Sequence, residues 1–168
     1  MNTLLELVAK AIKFIFPAYC ANAVPVLAGG GLPLDLGKKF FDGKPIFGKN
    51  KTFRGFFSGL IVGTAAGFAE AAIFQEYGSI SYFGFLLSLG ALLGDLAGAF
   101  IKRRLGIPPG GLLPIVDQVD FVVGALIFAV PLRVLHLELM LAVFIITPPL
   151  HMATNFAAYK LGLKNSPW

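Results

Sequence analysis

The chain has 168 residues, of which 57% are hydrophobic and only 14% charged, and its mean hydropathy is +0.79. So little charge at this size excludes an ordinary soluble domain. The formal net charge of +5 fits a membrane surface and anionic membrane lipid, and with this hydropathy no nucleic-acid partner is expected. The lone cysteine, Cys20, excludes an intrachain disulfide framework.

The first apolar stretch runs from about Leu4 to Leu32. Glu6, Lys10 and Lys13 interrupt it where a cleavable signal needs an unbroken core, so an amphipathic, interfacial beginning is expected instead. Pro17 and Pro25 predict a broken or kinked helix. The second stretch runs from Gly55 to Phe74 and the third from Tyr82 to Ile101. The fourth runs from about Val119 to His136, and the fifth from Leu139 to Tyr159, bent at Pro148-Pro149. Each approaches the roughly 20 apolar residues that a helical span needs. Backbone groups in lipid must be satisfied within the chain, so the fold class is an all-α integral membrane bundle of about five transmembrane helices. No linker interrupts it, and residues 1–168 read as a single membrane-embedded domain.

Glycine recurs every fourth residue on two spans: Gly55, Gly59, Gly63 and Gly67 on the second, and Gly90, Gly94 and Gly98 on the third. Such a face lets helix backbones approach closely, within one chain or between two in a possible homodimer. Eleven of the 14 basic residues fall in segments that five spans put on one side. They are Lys38, Lys39, Lys44, Lys49, Lys51 and Arg54, then Lys102, Arg103 and Arg104, then Lys160 and Lys164. By the positive-inside rule this side is cytoplasmic, with the amino terminus outside and the carboxyl terminus inside.

Two stretches carry candidate chemistry. Gly48-Lys49-Asn50-Lys51-Thr52-Phe53-Arg54-Gly55 joins three cations, a hydroxyl and flexible backbone just before a helix begins. A helix amino terminus with Lys and Arg suits phosphate. The glycine spacing of a P-loop is missing. The alternative is a basic loop that touches lipid headgroups. In the second stretch Asp95 lies inside the third span, where a carboxylate is expensive and faces a polar interior. Lys102, Arg103 and Arg104 follow, then a Pro-Gly turn, then Asp117 and Asp120 on one helix face. Hard divalent ions favour such oxygens, and Mg2+ uses one or two carboxylates together with substrate phosphates. The alternative is a set of neutralising pairs, Asp95 with Lys102 and Asp117 with Arg104. Asn22 and Asn155 read as interhelical contacts or substrate contacts, and Asp35 as a turn cap or site residue. Glu70 reads as reaching the outer interface, and His136 and His151 as structural. A small transporter or channel with an intramembrane acidic site is the competing class, but polar residues concentrate on the cytoplasmic side.

Taken together, these stretches resemble the CDP-archaeol synthase family, membrane cytidylyltransferases related to the phosphatidate cytidylyltransferases. The matching residues are Pro17-Ala18-Tyr19-Cys20-Ala21-Asn22 with Pro25, then Asp35 to Gly37, then Gly48 to Gly55. They continue through Gly94-Asp95, Lys102-Arg103, and Leu113 to Asp120. The phosphatidate-type signature has His-Gly-Gly before Asp-Arg-x-Asp. Here Pro114-Ile115-Val116 precedes Asp117-Gln118-Val119-Asp120, so the resemblance is to the archaeal branch. It implies CTP, Mg2+ and a geranylgeranylated glycerol-phosphate ether lipid as reactants, at a site facing the cytoplasm of the cell membrane. In that reading Asp117 and Asp120 hold Mg2+, with Asp95 as a further ligand or second-shell partner. Asp95, Lys102, Asp117 and Asp120 form the catalytic group. Asn22, Asp35, Lys49, Lys51, Thr52, Arg54, Arg103 and Arg104 contact substrate.

Overall fold

The computed structural model describes residues 2–74 and 82–164 and contains five α-helices. They are α1 (Asn2–Ala28), α2 (Phe53–Phe74), α3 (Phe83–Arg104), α4 (Val116–Ala129) and α5 (Leu137–Lys160). Four of them, α1, α2, α3 and α5, are long and apolar enough to cross a membrane. The connection at 75–81, expected between the second and third spans, lies outside the described residues.

The fourth span departs from expectation. Its helix starts at Val116 and ends at Ala129, 14 residues in all, a rise of about 21 Å. That is short of the roughly 30 Å of a hydrocarbon core. Pro131 has no N–H to donate, so Val130–Leu132 tightens into a 3₁₀ turn, and Arg133 at φ 56° ends it. The helix is nevertheless central. Phe121, Val122, Ala125 and Ala129 are fully buried with Phe14 and Ile15 of α1, Leu87 of α3 and Val143 of α5.

The first helix, expected to be broken or kinked, is not broken: α1 is continuous through Pro17 and Pro25, and α5 through Pro148 and Pro149. Neighbouring helices let prolines persist in apolar spans. Pro25 leaves the Ala21 carbonyl without its donor four residues on. Gly59 of α2 packs against that carbonyl, so closely that a Cβ there would stand 2.5 Å from the oxygen. The α1 helix ends at Ala28 rather than Leu32, where Gly30 and Gly31 take positive φ.

Both glycine faces are used within the chain. Gly59 and Gly63 of α2 meet Pro17, Ala21 and Pro25 of α1, and Gly67 meets Gly84 of α3. Gly90 and Gly94 of α3 meet Gly124 and Asp120 of α4. Glu70, expected to reach the interface, is buried instead. Tyr19 of α1 and Thr147 of α5 share a hydrogen bond of 2.9 Å, with Thr147 fully buried.

A methyl group at Gly63 would stand 2.7 Å from the Pro17 oxygen and 2.8 Å from the Ala21 side chain. Gly63→Ala is therefore expected to cost about 1–3 kcal/mol by overpacking. Ala65→Leu, on the exposed face of the same helix, should change stability by less than about 0.5 kcal/mol. Thermal unfolding of both variants in detergent checks the contrast.

Candidate active site

The site is built where α3 and α4 come closest. A Cβ on Gly98 would collide with the Asp120 carboxylate, and one on Gly94 with the Asp120 carbonyl. Those two glycines therefore let the first turns of α4 lie against α3, beside Asp95. Asp120 accepts a hydrogen bond from the Phe121 N–H at 2.7 Å and sits in the field of Asp95, Lys51 and Asp117. The chain reaches α4 through a strained turn. The Val116 N–H donates to the Pro114 carbonyl at 2.8 Å across Ile115, which has φ 68° and ψ −55°. A β-branched residue in that region is costly, and such strain concentrates at functional sites.

Two ion pairs bridge the elements. The Lys51 ammonium donates to Asp95 at 2.5 Å, joining the first loop to α3. The Lys102 ammonium donates to Asp117 at 2.8 Å, joining the end of α3 to the start of α4. The Leu113 N–H also donates to Asp117, at 3.0 Å. The partners differ from the pairs read off the sequence, Asp95 with Lys102 and Asp117 with Arg104. The loop at 29–52 folds back onto α3 and brings Lys51 to Asp95 first.

That loop closes on itself at its base. Leu34 N–H donates to the Lys51 carbonyl at 2.7 Å, and Phe53 N–H to the Leu32 carbonyl at 3.1 Å. Asp35, expected as a turn cap or a site residue, holds the loop. It is buried and accepts from the backbone N–H groups of Gly37 (3.0 Å), Phe47 (3.0 Å) and Gly48 (2.8 Å). Burial pushes its carboxyl up, but the Gly48, Phe47 and Gly37 donors outweigh it and hold it below the usual carboxylate range. Thr52 is buried and caps α2, accepting from the Gly55 N–H at 3.1 Å. Arg54 donates through Nε to the Ala28 carbonyl at 2.7 Å and ties α2 to the end of α1.

Arg104 also has a structural role where a phosphate contact was expected. It pairs with Asp42 at 3.2 Å, donates to the Lys44 and Pro45 carbonyls, and lies over the Phe40 and Phe100 rings. It clamps the 39–45 hairpin to α3. Nε and Nη1 meet no hydrogen-bond partner in either Arg104 or Arg103, but Arg103 has no carboxylate pair or ring contact among the described residues. It is 5% exposed. Its Nη1 lies beneath Gly48, 3.8 Å from where a Cβ would stand. A buried guanidinium with unmet donors is poised for an anion.

Two cavities border the segment 48–52. One, of about 40 Å³, is lined by Asn50, Lys51, Thr52, Asp95 and Pro25, one helical turn from Asn22. The other, of about 280 Å³, is lined by Lys49, Gly48, Lys39, Asp35 and Pro109. A third contribution comes from α5 and the tail, where the sequence marked Asn155 as a contact residue but not its partners. Lys164 donates to Asn155 at 2.9 Å, Asn155 meets the His151 ring, and that ring packs on Phe121, beside Asp120. His151 and Asn155 lie one turn apart on α5, but no local pattern shows that Lys164 returns to them, because only the folded tail makes that contact.

Among the described residues no three His, Cys, Asp or Glu side chains converge to hold a metal ion. The set Asp95, Asp117 and Asp120 is therefore not a preformed cage. Its chemistry still fits Mg2+: three carboxylates of one neighbourhood supply hard oxygens, and phosphate oxygens complete such sites.

Apolar helices around a charged cluster drawn from two helix ends and a basic loop define a multi-pass membrane protein with a polar candidate site at one end of its bundle. A solved chain described as "Structural insight into an intramembrane enzyme for archaeal membrane lipids biosynthesis" has this fold. It matches with a TM-score of 0.83 and 38% identity, over 88% of this chain and 94% of that one. The family described as CarS-like, CDP-archaeol synthase, matches residues 4–168. The CDP-archaeol synthase of Pyrococcus horikoshii is 48% identical over 100% of this chain and 99% of its own length. That of Methanococcus aeolicus is 42% identical over 99% of each. The chain belongs to the CDP-archaeol synthase family.

Removing the Asp35 acceptor leaves three buried or half-buried N–H groups unmet, at about 1–3 kcal/mol for such losses. Asp35→Ala should expose the loop to trypsin at its lysines at neutral pH, and Asp35→Asn, which keeps one acceptor oxygen, should do so less. Because the folded pKa is depressed, the latch is at full strength above the ordinary carboxylate range. It weakens only as pH falls through the lowered value. Amide exchange at Gly48, followed from pH 8 downward, should stay protected until that range.

Proposed function

We propose that the chain transfers CMP from CTP to the phosphate of 2,3-di-O-geranylgeranylglyceryl phosphate, giving CDP-archaeol and pyrophosphate in membrane phospholipid biosynthesis. The observation that carries this reading is the juxtaposition of Asp95, Asp117 and Asp120 with Lys51, Lys102 and the buried, unmet Arg103 at one end of the bundle. Membership of the CDP-archaeol synthase family supports it. We read the site as facing the cytoplasm, where CTP is, with the amino terminus outside and the carboxyl terminus inside. The bias of lysine and arginine supports that orientation.

The chemistry asks little proton transfer of the protein. An oxygen of the lipid phosphate attacks the α-phosphorus of CTP, a P–O bond forms, and the bond to the β-phosphate oxygen breaks with pyrophosphate leaving. The attacking phosphate is ionised near neutral pH, so no strong base is needed. Rate then comes from alignment and neutralised charge. Asp117 and Asp120 would hold Mg2+, with Asp95 beside them, and the cation would offset charge between the two phosphate groups. Lys51 and Lys102, paired with Asp95 and Asp117 here, would be free to meet phosphate oxygens where those carboxylates hold the cation. Arg103 grips a further phosphate beneath Gly48, where Lys49 lines the larger cavity. Asn22 adds a polar group near the smaller one. The lipid tails remain among the apolar helices.

Asp117→Asn removes a charge that Lys102 and the cation share. It is expected to lower CDP-lipid formation at least 100-fold while the protein still folds. Labelled CTP, Mg2+ and the lipid phosphate, with products separated by chromatography, provide the test. Full activity in this variant would sink the metal assignment.

A further inference from the structure

The carboxyl-terminal tail does not leave the bundle after α5. Gly162, at φ 72°, reverses the chain. The turn is closed by the Leu161, Gly162 and Leu163 N–H groups donating to the Ala157, Tyr159 and Ala158 carbonyls, as in glycine-capped helix ends. Had the helix continued, residue 164 would lie about 13.5 Å beyond residue 155 along the axis. Instead the Lys164 ammonium donates to the Asn155 side-chain oxygen at 2.9 Å. The Asn155 amide in turn lies 3.2 Å from a ring nitrogen of His151. The His151 ring stacks on Phe121, with centroids 5.5 Å apart, and Phe121 directly follows Asp120. The three side chains thus form a relay from the tail to the first turn of α4.

We infer that Lys164 is a further substrate-phosphate cation of the site, delivered by the Gly162 turn and oriented by Asn155, whose amide His151 steadies. The assignment rests on the cytidylyltransferase reading above. Lys51 and Lys102 already face Lys164, as do Asp95 and Asp117. Burial lowers the pKa of its ammonium, and the Lys51 charge lowers it further. Burial and the two lysines outweigh the pull of Asp117 and Asp95, so the surroundings of this ammonium disfavour its charge on balance. A polyphosphate or phosphate monoester entering the cluster reverses that sign, because each brings several negative charges. Asn155 touches the lysine rather than the reacting atoms, so it is a positioning residue.

The test uses the full chain in nanodiscs with Mg2+, CTP and 2,3-di-O-geranylgeranylglyceryl phosphate, reading initial rates of pyrophosphate release against each substrate in turn. Lys164→Met should raise KM for one phosphate-bearing substrate roughly tenfold, the scale of a charge-assisted contact. A rise for CTP assigns the ammonium to the nucleotide, and a rise for the lipid assigns it to the lipid phosphate. Lys164→Arg, which keeps the charge, should recover most of the loss. Asn155→Ala should raise the same KM by a smaller factor, with kcat less affected. Lys38→Met, in the exposed part of the first loop, serves as the unaffected control. Thermal unfolding of each variant separates misfolding from a lost contact. Unchanged KM values in a folded Lys164→Met overturn the tail assignment alone, as does a loss that Lys164→Arg fails to recover. Wild-type chain that releases no pyrophosphate overturns the functional reading and the tail assignment together.

Discussion

The close approach of α3 and α4 is the constraint on which the rest depends. It exists because Gly94 and Gly98 present no side chain where Asp120 must lie. In an apolar bundle there is little hydrophobic force between helices, so contact depends on how closely backbones can pack. Here the same contact also brings charge together. A carboxylate that would be expensive on a lipid-facing helix sits in a polar corner with Asp95, Lys51 and Asp117. The short length of α4 belongs to the same solution. A helix that starts at the site and stops at Pro131 need not cross the whole membrane to hold Asp117 and Asp120 in position.

The first loop shows how positive charge in one segment divides into separate roles. Asp35 gathers three backbone donors and fixes Gly48 above Arg103. Arg54 and Arg104 tie the loop and its neighbouring helices together. Lys51 reaches the acidic cluster, Lys49 borders the larger cavity, and Arg103 keeps buried donors unmet. Thus Arg54 and Arg104, both expected to contact substrate, make structural contacts here, and the loop they stiffen carries Lys49 and Lys51.

Much of the site was legible in the sequence because membrane burial makes charge conspicuous. Asp95, Asp117 and Asp120 stood out against apolar surroundings, and all three lie in one electrostatic neighbourhood. Their lysine partners were not legible. Pairing Asp95 with Lys102 assumed that one helix neutralises its own charge, whereas the folded loop supplies Lys51 from 44 residues earlier. Glu70 was misjudged for a related reason: depth along a helix is readable, but the direction a side chain faces depends on the neighbours.

The sequence by itself determined that this is a helical membrane protein, where its long spans run, and which carboxylates stand out as candidates for chemistry. Hydropathy over some 20 residues and the cost of intramembrane charge are local quantities, so they can be read without a fold. Only the tertiary structure decided that α4 is short, that Asp35 and Arg104 hold a loop, and that the 33–52 loop base delivers Lys51. It alone set His151 of α5 against Phe121 and turned the tail back at Gly162 to bring Lys164 to Asn155, near Asp117 and Asp95. Those outcomes depend on contacts between residues far apart in the chain, and no local pattern encodes which distant groups will meet.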